Sequence, residues 1–255
     1  MQKSVQNLAL GVDVGGSSIK CALIDLRSGH FVGARHSVRT PAQDSVDTLL
    51  EAIAAAVAGV PGDHPIGLAF PSVIVHGTVR TAAHLNKSWI GQPLDSLAAA
   101  RLGRAVTAIN DADAAGLAEL RYGAAKDVPG TVLLLTLGTG IGSALFVDGR
   151  LLPNTELGHL QVAGREAELR AAARIKVEEN LSWDQWTDEL SLVLEEMHAL
   201  LWPDLIVLCG GITERPENFL AKLRSPAELR IGALRAEAGI VGAALATAPE
   251  PPRGA

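Results

Sequence analysis

Apolar positions along the chain fall into short runs, each broken by glycines or by a charged or polar cluster. The first run, Leu8 to Val14, meets Gly15-Gly16-Ser17-Ser18, and a second, Ile19 to Ile24, follows at once. A turn at Asp25 to Gly29 leads to a third run from about Phe31. Apolar runs joined by glycines predict hairpins. Between Ser45 and Val57 the spacing changes, and Val46, Leu49, Leu50, Ile53 and Val57 recur at the period of one helix face. A strand at Ile66 to Phe70 halts at Pro71, and a less regular polar stretch runs from Thr78 to Gln92. A short helix near Leu94 to Leu102 and a strand from Ala105 to Ile109 then lead to Asn110-Asp111.

The second half opens with a helix from about Asp113 to Tyr122, closed by Gly123. The early pattern then returns: strand Val132 to Leu137, glycine turn Gly138-Thr139-Gly140-Ile141-Gly142, strand Ser143 to Val147, an Asp148-Gly149 turn and Arg150 to Leu152. This repetition is an internal duplication of architecture, with low residue identity between the copies. Helices are predicted at about Arg165 to Lys176 and at Trp183 to Leu201, the latter opened by a Ser182–Gln185 capping box and stopped by Pro203. A buried strand, Leu205 to Leu208, ends at Cys209-Gly210-Gly211, and Ala238 to Ala246 makes a small-residue helix. The expected organisation is an α/β chain of two related domains, 1–110 and 111–237. The 238–246 helix is expected to pack back on the first domain, ahead of a disordered Pro-rich tail at 248–255.

Composition narrows the function classes. The 255 residues are 48% hydrophobic and 20% charged, which supports a buried core and excludes general disorder. A net charge of −6 argues against a nucleic-acid binder, so an anionic substrate needs a local cradle. Two cysteines, Cys21 and Cys209, are too few for a disulfide framework and fit a reducing cytosol. No secretory signal is expected at the start, where Lys3 stands alone and Asp13 soon interrupts the apolar run. The uncharged stretch Val128 to Val147 is cut by Pro129, Gly130, Gly138, Gly140 and Gly142, so it reads as strand–turn–strand, not as a membrane helix.

Four places carry candidate chemistry. The two glycine turns, lined by Ser17, Ser18 and Thr139, suit paired phosphate cradles, because successive backbone N–H groups bind anions without many cationic side chains. Glycines also make plain hairpins, but a pair of such turns directly after apolar strands favours cradles. No Gly-Lys exists for a Walker A loop, and strands rather than helices follow the glycines, unlike a dinucleotide fingerprint. Asp13, at a strand end, suits either a turn or a hydrated Mg²⁺ beside phosphates, and Lys20 either reaches a phosphate or is solvated. Asn110-Asp111-Ala112-Asp113 suits a helix cap, yet leaves a spare carboxylate that can accept a proton from a hydroxyl. Glu156 and His159, with Glu168 further on, suit sugar hydroxyls, which both donate and accept. A metal is not expected there, since neither cysteine is near and no second histidine has ligand spacing. Trp183 and Trp186 share a helix face with Leu190, Val193, Leu194 and Met197, as core or dimer packing.

Taken together, several motifs resemble the ROK family of sugar kinases, and within it the polyphosphate-using glucokinases. They are Gly11-Val-Asp-Val-Gly-Gly-Ser-Ser-Ile-Lys20, Arg80-Thr-Ala-Ala, Lys87-Ser-Trp-Ile-Gly91, Asn110 to Glu119 with Arg121-Tyr-Gly123, Leu137 to Ser143, Pro153 to Leu160, Trp202 to Leu205 and Ala238 to Ala244. The resemblance implies an actin-like ATPase (ribonuclease H-like) fold of two related α/β domains around a cleft. It implies phosphoryl transfer from polyphosphate, or also ATP, to the 6-hydroxyl of glucose, by a cytoplasmic homodimer using Mg²⁺ and no zinc. By the same carry-over Asp111 is the general base, and Asn110, Glu156, His159 and Glu168 hold the sugar. The turns at Gly15-Gly16 and Gly138 to Gly142 hold donor phosphates, Gly210-Gly211 borders a nucleoside pocket, and Lys20, Arg80 and Lys87 form a polyphosphate path. An ATP-dependent glucokinase or glucomannokinase is the alternative. A non-catalytic sugar-binding member is a further one, although no helix-turn-helix fits the few residues before Leu8. The chain departs from the family in lacking its Cys-rich zinc motif, and at Ser72, His84, Gln161 and Cys209.

Overall fold

The computed structural model describes residues 7–42, 45–83 and 85–248. His84 and the expected tail from 249 onward lie outside the described residues. By its internal contacts the chain divides into two compact units, one of residues up to Ala118 with those from Ala238 on, the other Glu119–Glu237.

In the first unit β1 (Leu8–Val14), β2 (Ser18–Asp25) and β3 (Phe31–Arg39) form an antiparallel meander. Helix α1 (Val46–Ala58), N-capped by Ser45, leads to β4 (Ile66–Phe70). A small hairpin follows, β5 (Ile74–Val75) with β6 (Thr78–Val79), then α2 (Leu94–Leu102) and β7 (Val106–Asn110). The sheet order is β3-β2-β1-β4-β7, with β4 and β7 parallel to β1. Alternation along β1 sends Leu10, Val12 and Val14 into the core shared with Leu49 and Ile53 of α1. Trp89, fully buried, meets Phe70 edge-on with centroids 5.0 Å apart. Helix α3 (Asp111–Tyr122) runs across the division of the chain. The division thus falls later than residue 110, because the first turns of α3 pack inside the first unit.

The second unit repeats the scheme. Strands β8 (Thr131–Leu137), β9 (Ile141–Val147) and β10 (Arg150–Leu152) form its meander, and β13 (Leu205–Cys209) and β14 (Glu228–Ile231) add in parallel, giving β10-β9-β8-β13-β14. The uncharged stretch is therefore β8, a glycine turn and β9, and no helix among the described residues is long and apolar enough to cross a membrane. Between β10 and β13 the structure corrects the helix expected at Arg165 to Lys176. A hairpin of β11 (Gln161–Val162) and β12 (Arg165–Glu166) comes first, then α4 (Ala167–Ala171) and α5 (Ala173–Glu178), separated by the extended Ala172 (ψ 148°). The break frees the start of α5 to brace the glycine turn, the Arg174 N–H donating to Gly138 O at 3.2 Å. Helix α6 (Trp183–Leu201) carries the predicted capping box, Ser182 and Gln185 satisfying each other's backbone N–H. Trp186 is fully buried, donates to Ala171 O and packs on Phe219, so its face of α6 is core.

The last helix among the described residues, α7 (Ala238–Leu245), lies on the first unit's sheet. Its backbone comes so close that a Cβ at Gly11 or Gly67 would collide with the carbonyls of Ile240 or Ala243. Glycine at those two strand positions is a requirement of packing.

Candidate active site

The glycine turns differ from those packing glycines. A Cβ added at Gly16, Gly138 or Gly211 would meet nothing within 4 Å, and none of the three has positive φ. Nothing in the fold demands glycine there, so the missing side chains leave room for a ligand to approach the backbone. The first turn is braced by Thr40, whose Oγ1 donates to Gly15 O at 2.6 Å while its N–H donates to Ser17 O at 3.1 Å. Gly15 N–H closes the turn on Ser18 O at 3.1 Å. The second turn closes Gly138 N–H on Gly140 O at 3.0 Å, and the Arg174 guanidinium donates to Thr139 O. Gly142 lies in β9, directly paired with Thr136. Gly210, at φ +103°, presses against Leu137 O, so its glycine is structural while that of Gly211 is open.

Asp13 and Lys20 face each other directly across the β1–β2 ladder. Burial raises the Asp13 carboxyl above its ordinary range, partly offset by the Lys20 ammonium. The carboxylate lies against Gly239 in the first turn of α7.

At the end of β7 the Asn-Asp pair divides its work. Asn110 Oδ1 accepts the N–H groups of Ala112 (2.9 Å) and Asp113 (3.0 Å), capping α3, and its Nδ2 donates to Ser72 O at 3.1 Å. Asn110 is buried and keeps one amide hydrogen for another partner. The cap thus falls to Asn110, while half-buried Asp111 stands at the first position of the helix, where the positive end of the macrodipole favours an anion. Its Oδ1 accepts the Ala112 N–H.

In the second unit Glu156 precedes, and His159 closes, a single turn of 3₁₀ helix, Leu157–His159. Gly158 lets that turn lie on Ile141 O, where a Cβ would collide. His159 Nε2 stands 3.7 Å from Glu156, and Nδ1 bonds Glu166 at 3.1 Å. Glu168 lies in the first turn of α4, and ligand-type atoms of His159, Glu166 and Glu168 fall within 4.8 Å of one another. Burial raises the Glu156 carboxyl, with His159 opposing and Glu168 adding to the rise. The His159 ring is also raised, chiefly by its bond to Glu166.

Sequence reasoning missed Glu166 and Arg174. The signal for Glu166 was the two-residue loop Ala163-Gly164, both at positive φ, which folds β12 back along β11. Arg174 had no comparable signal, because its contacts to the glycine turn depend on the break at Ala172. Arg80 and Lys87 are exposed in the first unit, Lys87 opening a short turn capped by Asn86 and anchored by Trp89. Two open concavities, of about 530 Å³ beside Pro65 and Arg104 and about 570 Å³ along β10, contain none of the predicted site residues.

A model of the ROK family matches residues 9–172. The chain is 44% identical over 245 residues to a polyphosphate glucokinase of Mycobacterium tuberculosis, covering 96% of this chain and 92% of that one. Among solved structures, the inorganic polyphosphate/ATP-glucomannokinase of Arthrobacter sp. strain KM superposes with TM-score 0.90 at 45% identity, over 93% of this chain and 97% of that one. A ROK family glucokinase from Streptomyces griseus, solved with glucose and AMPPNP, gives TM-score 0.80 at 23% identity over 93% and 98%, a likeness of fold alone.

Proposed function

The chain belongs to the ROK family, with its actin-like ATPase fold, and we propose that it transfers the terminal phosphoryl group of inorganic polyphosphate to the 6-hydroxyl of glucose. The observation that carries this reading is the likeness to a polyphosphate glucokinase along nearly the whole of both chains.

Asp111 accepts the proton of the 6-hydroxyl as its oxygen attacks the terminal phosphorus. The P–O bond to the shortened polyphosphate breaks, and that chain leaves with the bonding electrons. Asn110 takes the cap on Ala112 and Asp113, and the Ala112 N–H bond to Oδ1 fixes the orientation of the Asp111 carboxylate. Asn110, Glu156, His159 and Glu168 hold the sugar. The turns at Gly15-Gly16-Ser17-Ser18 and Gly138 to Gly142 receive donor phosphates on backbone N–H groups, with Lys20 and Arg174 adding positive charge. Such transfers need chiefly positioning and charge neutralisation, which these parts supply. Asp13 suits Mg²⁺, because a carboxylate penalised by burial gains most from a cation, and Mg²⁺ prefers oxygen ligands and retains water. When bound, the ion neutralises charge on the phosphate oxygens. Arg80 and Lys87 guide the anionic chain.

ATP serves as a second donor in this reading, and the open space at Gly211 favours it. Mannose as a second acceptor, a homodimeric state and a cytoplasmic location belong to the same proposal. The test is glucose 6-phosphate formation from polyphosphate or ATP by wild type and Asp111→Asn. The variant is expected to lose roughly 10²–10⁴-fold in kcat with either donor. A wild type inert toward glucose with both donors overturns the reading.

A further inference from the structure

His159 has its two ring nitrogens in different company. Nδ1 bonds the Glu166 carboxylate at 3.1 Å, while Nε2 stands 3.7 Å from Glu156, too far for a hydrogen bond. Glu166 reaches the ring because the tight β11–β12 hairpin pairs it opposite Gln161, just past the histidine turn. The neighbouring cations are engaged elsewhere: Arg165 with Glu179 at 2.5 Å, Arg170 with Glu189 at 2.6 Å. The charged groups facing the ring are thus Glu156, Glu166 and Glu168.

A carboxylate only accepts hydrogen bonds, so the bond to Nδ1 requires a proton there. That leaves Nε2 as the nitrogen whose proton comes and goes. When the ring is neutral, Nε2 offers a lone pair beside Glu156, and two adjacent acceptors suit two neighbouring hydroxyls of a sugar.

Resting on the sugar-kinase reading above, we infer that Glu166 is a positioning residue. It locks the His159 proton on Nδ1 and turns Nε2 toward the acceptor sugar, the role that outer carboxylates play for metal-bound histidines, filled here with a proton in place of a metal. Glu166 itself touches neither substrate nor phosphate. Its effect is confined to sugar capture and to the pH at which capture occurs. Sugar binding improves as pH rises through the His159 titration, because the neutral ring is the accepting form.

The test combines ¹⁵N NMR of the His159 ring with steady-state kinetics for wild type, Glu166→Gln and Glu166→Ala, after metal analysis of the purified protein. Wild type is expected to carry its neutral-ring proton on Nδ1. Glu166→Ala moves that proton to Nε2 and raises the glucose KM about tenfold, the scale of a lost outer-shell partner, with kcat and the polyphosphate KM changed far less. Glu166→Gln, whose amide oxygen accepts the same hydrogen, restores the tautomer but moves the pH profile of glucose KM to lower pH. A wild-type ring protonated on Nε2 overturns the inference, whether or not the protein is active. So does an alanine variant with unchanged tautomer and glucose KM, or a stoichiometric divalent ion whose removal alone reproduces the alanine phenotype. Absence of glucose phosphorylation by wild type sinks the parent reading instead, and the NMR assignment still decides the His159–Glu166 pair.

Discussion

The carboxylate of Glu119 accepts the backbone N–H of Leu234 at 2.7 Å, across 115 positions of sequence. It also accepts the N–H groups of Ala233 (3.0 Å) and Ala124 (2.7 Å), and the residue is fully buried. One side chain in α3 thus secures the loop after α3 and the segment after β14. Hydrogen bonds to a charged acceptor contribute ~1.5–3 kcal/mol each, less when lost together. Glu119→Ala is therefore expected to destabilise by about 3–5 kcal/mol in urea unfolding. A loss under 1 kcal/mol contradicts this account.

The glycines separate into those that packing forces and those that stand open, and alanine substitution tells them apart. Gly16→Ala and Gly138→Ala meet open space at ordinary φ, so stability should stay within ~1 kcal/mol of wild type or rise slightly. Their KM for polyphosphate should nonetheless increase. Gly210→Ala, at φ +103° against Leu137 O, should destabilise by more than ~2 kcal/mol. Thermal melting beside donor kinetics makes the comparison, and equal effects on both sets would refute it.

Asp13 gives up stability to keep a buried carboxylate. Its folded pKa is raised, mainly by burial, so the folded state binds this proton more tightly than the unfolded chain. The stabilisation is complete below the unfolded carboxyl value near ~4 and is lost as pH rises through the folded value. Asp13→Asn removes the penalty, so its Tm should exceed that of wild type at pH 7 and converge with it under acid conditions. Activity should fall over the same set of variants. A Tm at pH 7 below that of wild type would show that Lys20 outweighs burial.

Arg80 and Lys87 are both exposed, so the guiding role proposed for them is one of charge. Replacing both with glutamine should raise the polyphosphate KM several-fold at low salt and flatten its salt dependence, with ATP kinetics little changed. Intact polyphosphate turnover would place the guiding charge elsewhere.

Arg174 braces the second turn through its side chain and its backbone N–H. Arg174→Met should weaken donor use more than glucose use, measured as separate KM values. A larger effect on glucose would assign it to the sugar side.

Much of the fold was legible because strands and turns are local events. Leu8 to Val14 and Val132 to Leu137 are unbroken apolar runs ending in glycine, and both are central strands. The Ser182–Gln185 box marked the start of α6, since both partners lie within one turn. Arg165 to Lys176 misled because its alanines and charges satisfy helix propensity, while the hairpin and the Ala172 break answer to distant partners. Trp183 and Trp186 read as core or interface, and Phe219 decides for core by stacking on one and meeting the other edge-on.

The amino-acid order by itself determined the duplicated strand scheme, the glycine turns and the carboxylate after β7, since hydrophobic period and turn chemistry act over a few residues. Only the tertiary structure decided which glycines are forced by packing and which stand open. It also decided that Asn110 takes the cap beside Asp111, and that Glu166 holds His159. Those outcomes depend on atoms brought within a few ångströms by folding, a distance that no local pattern encodes.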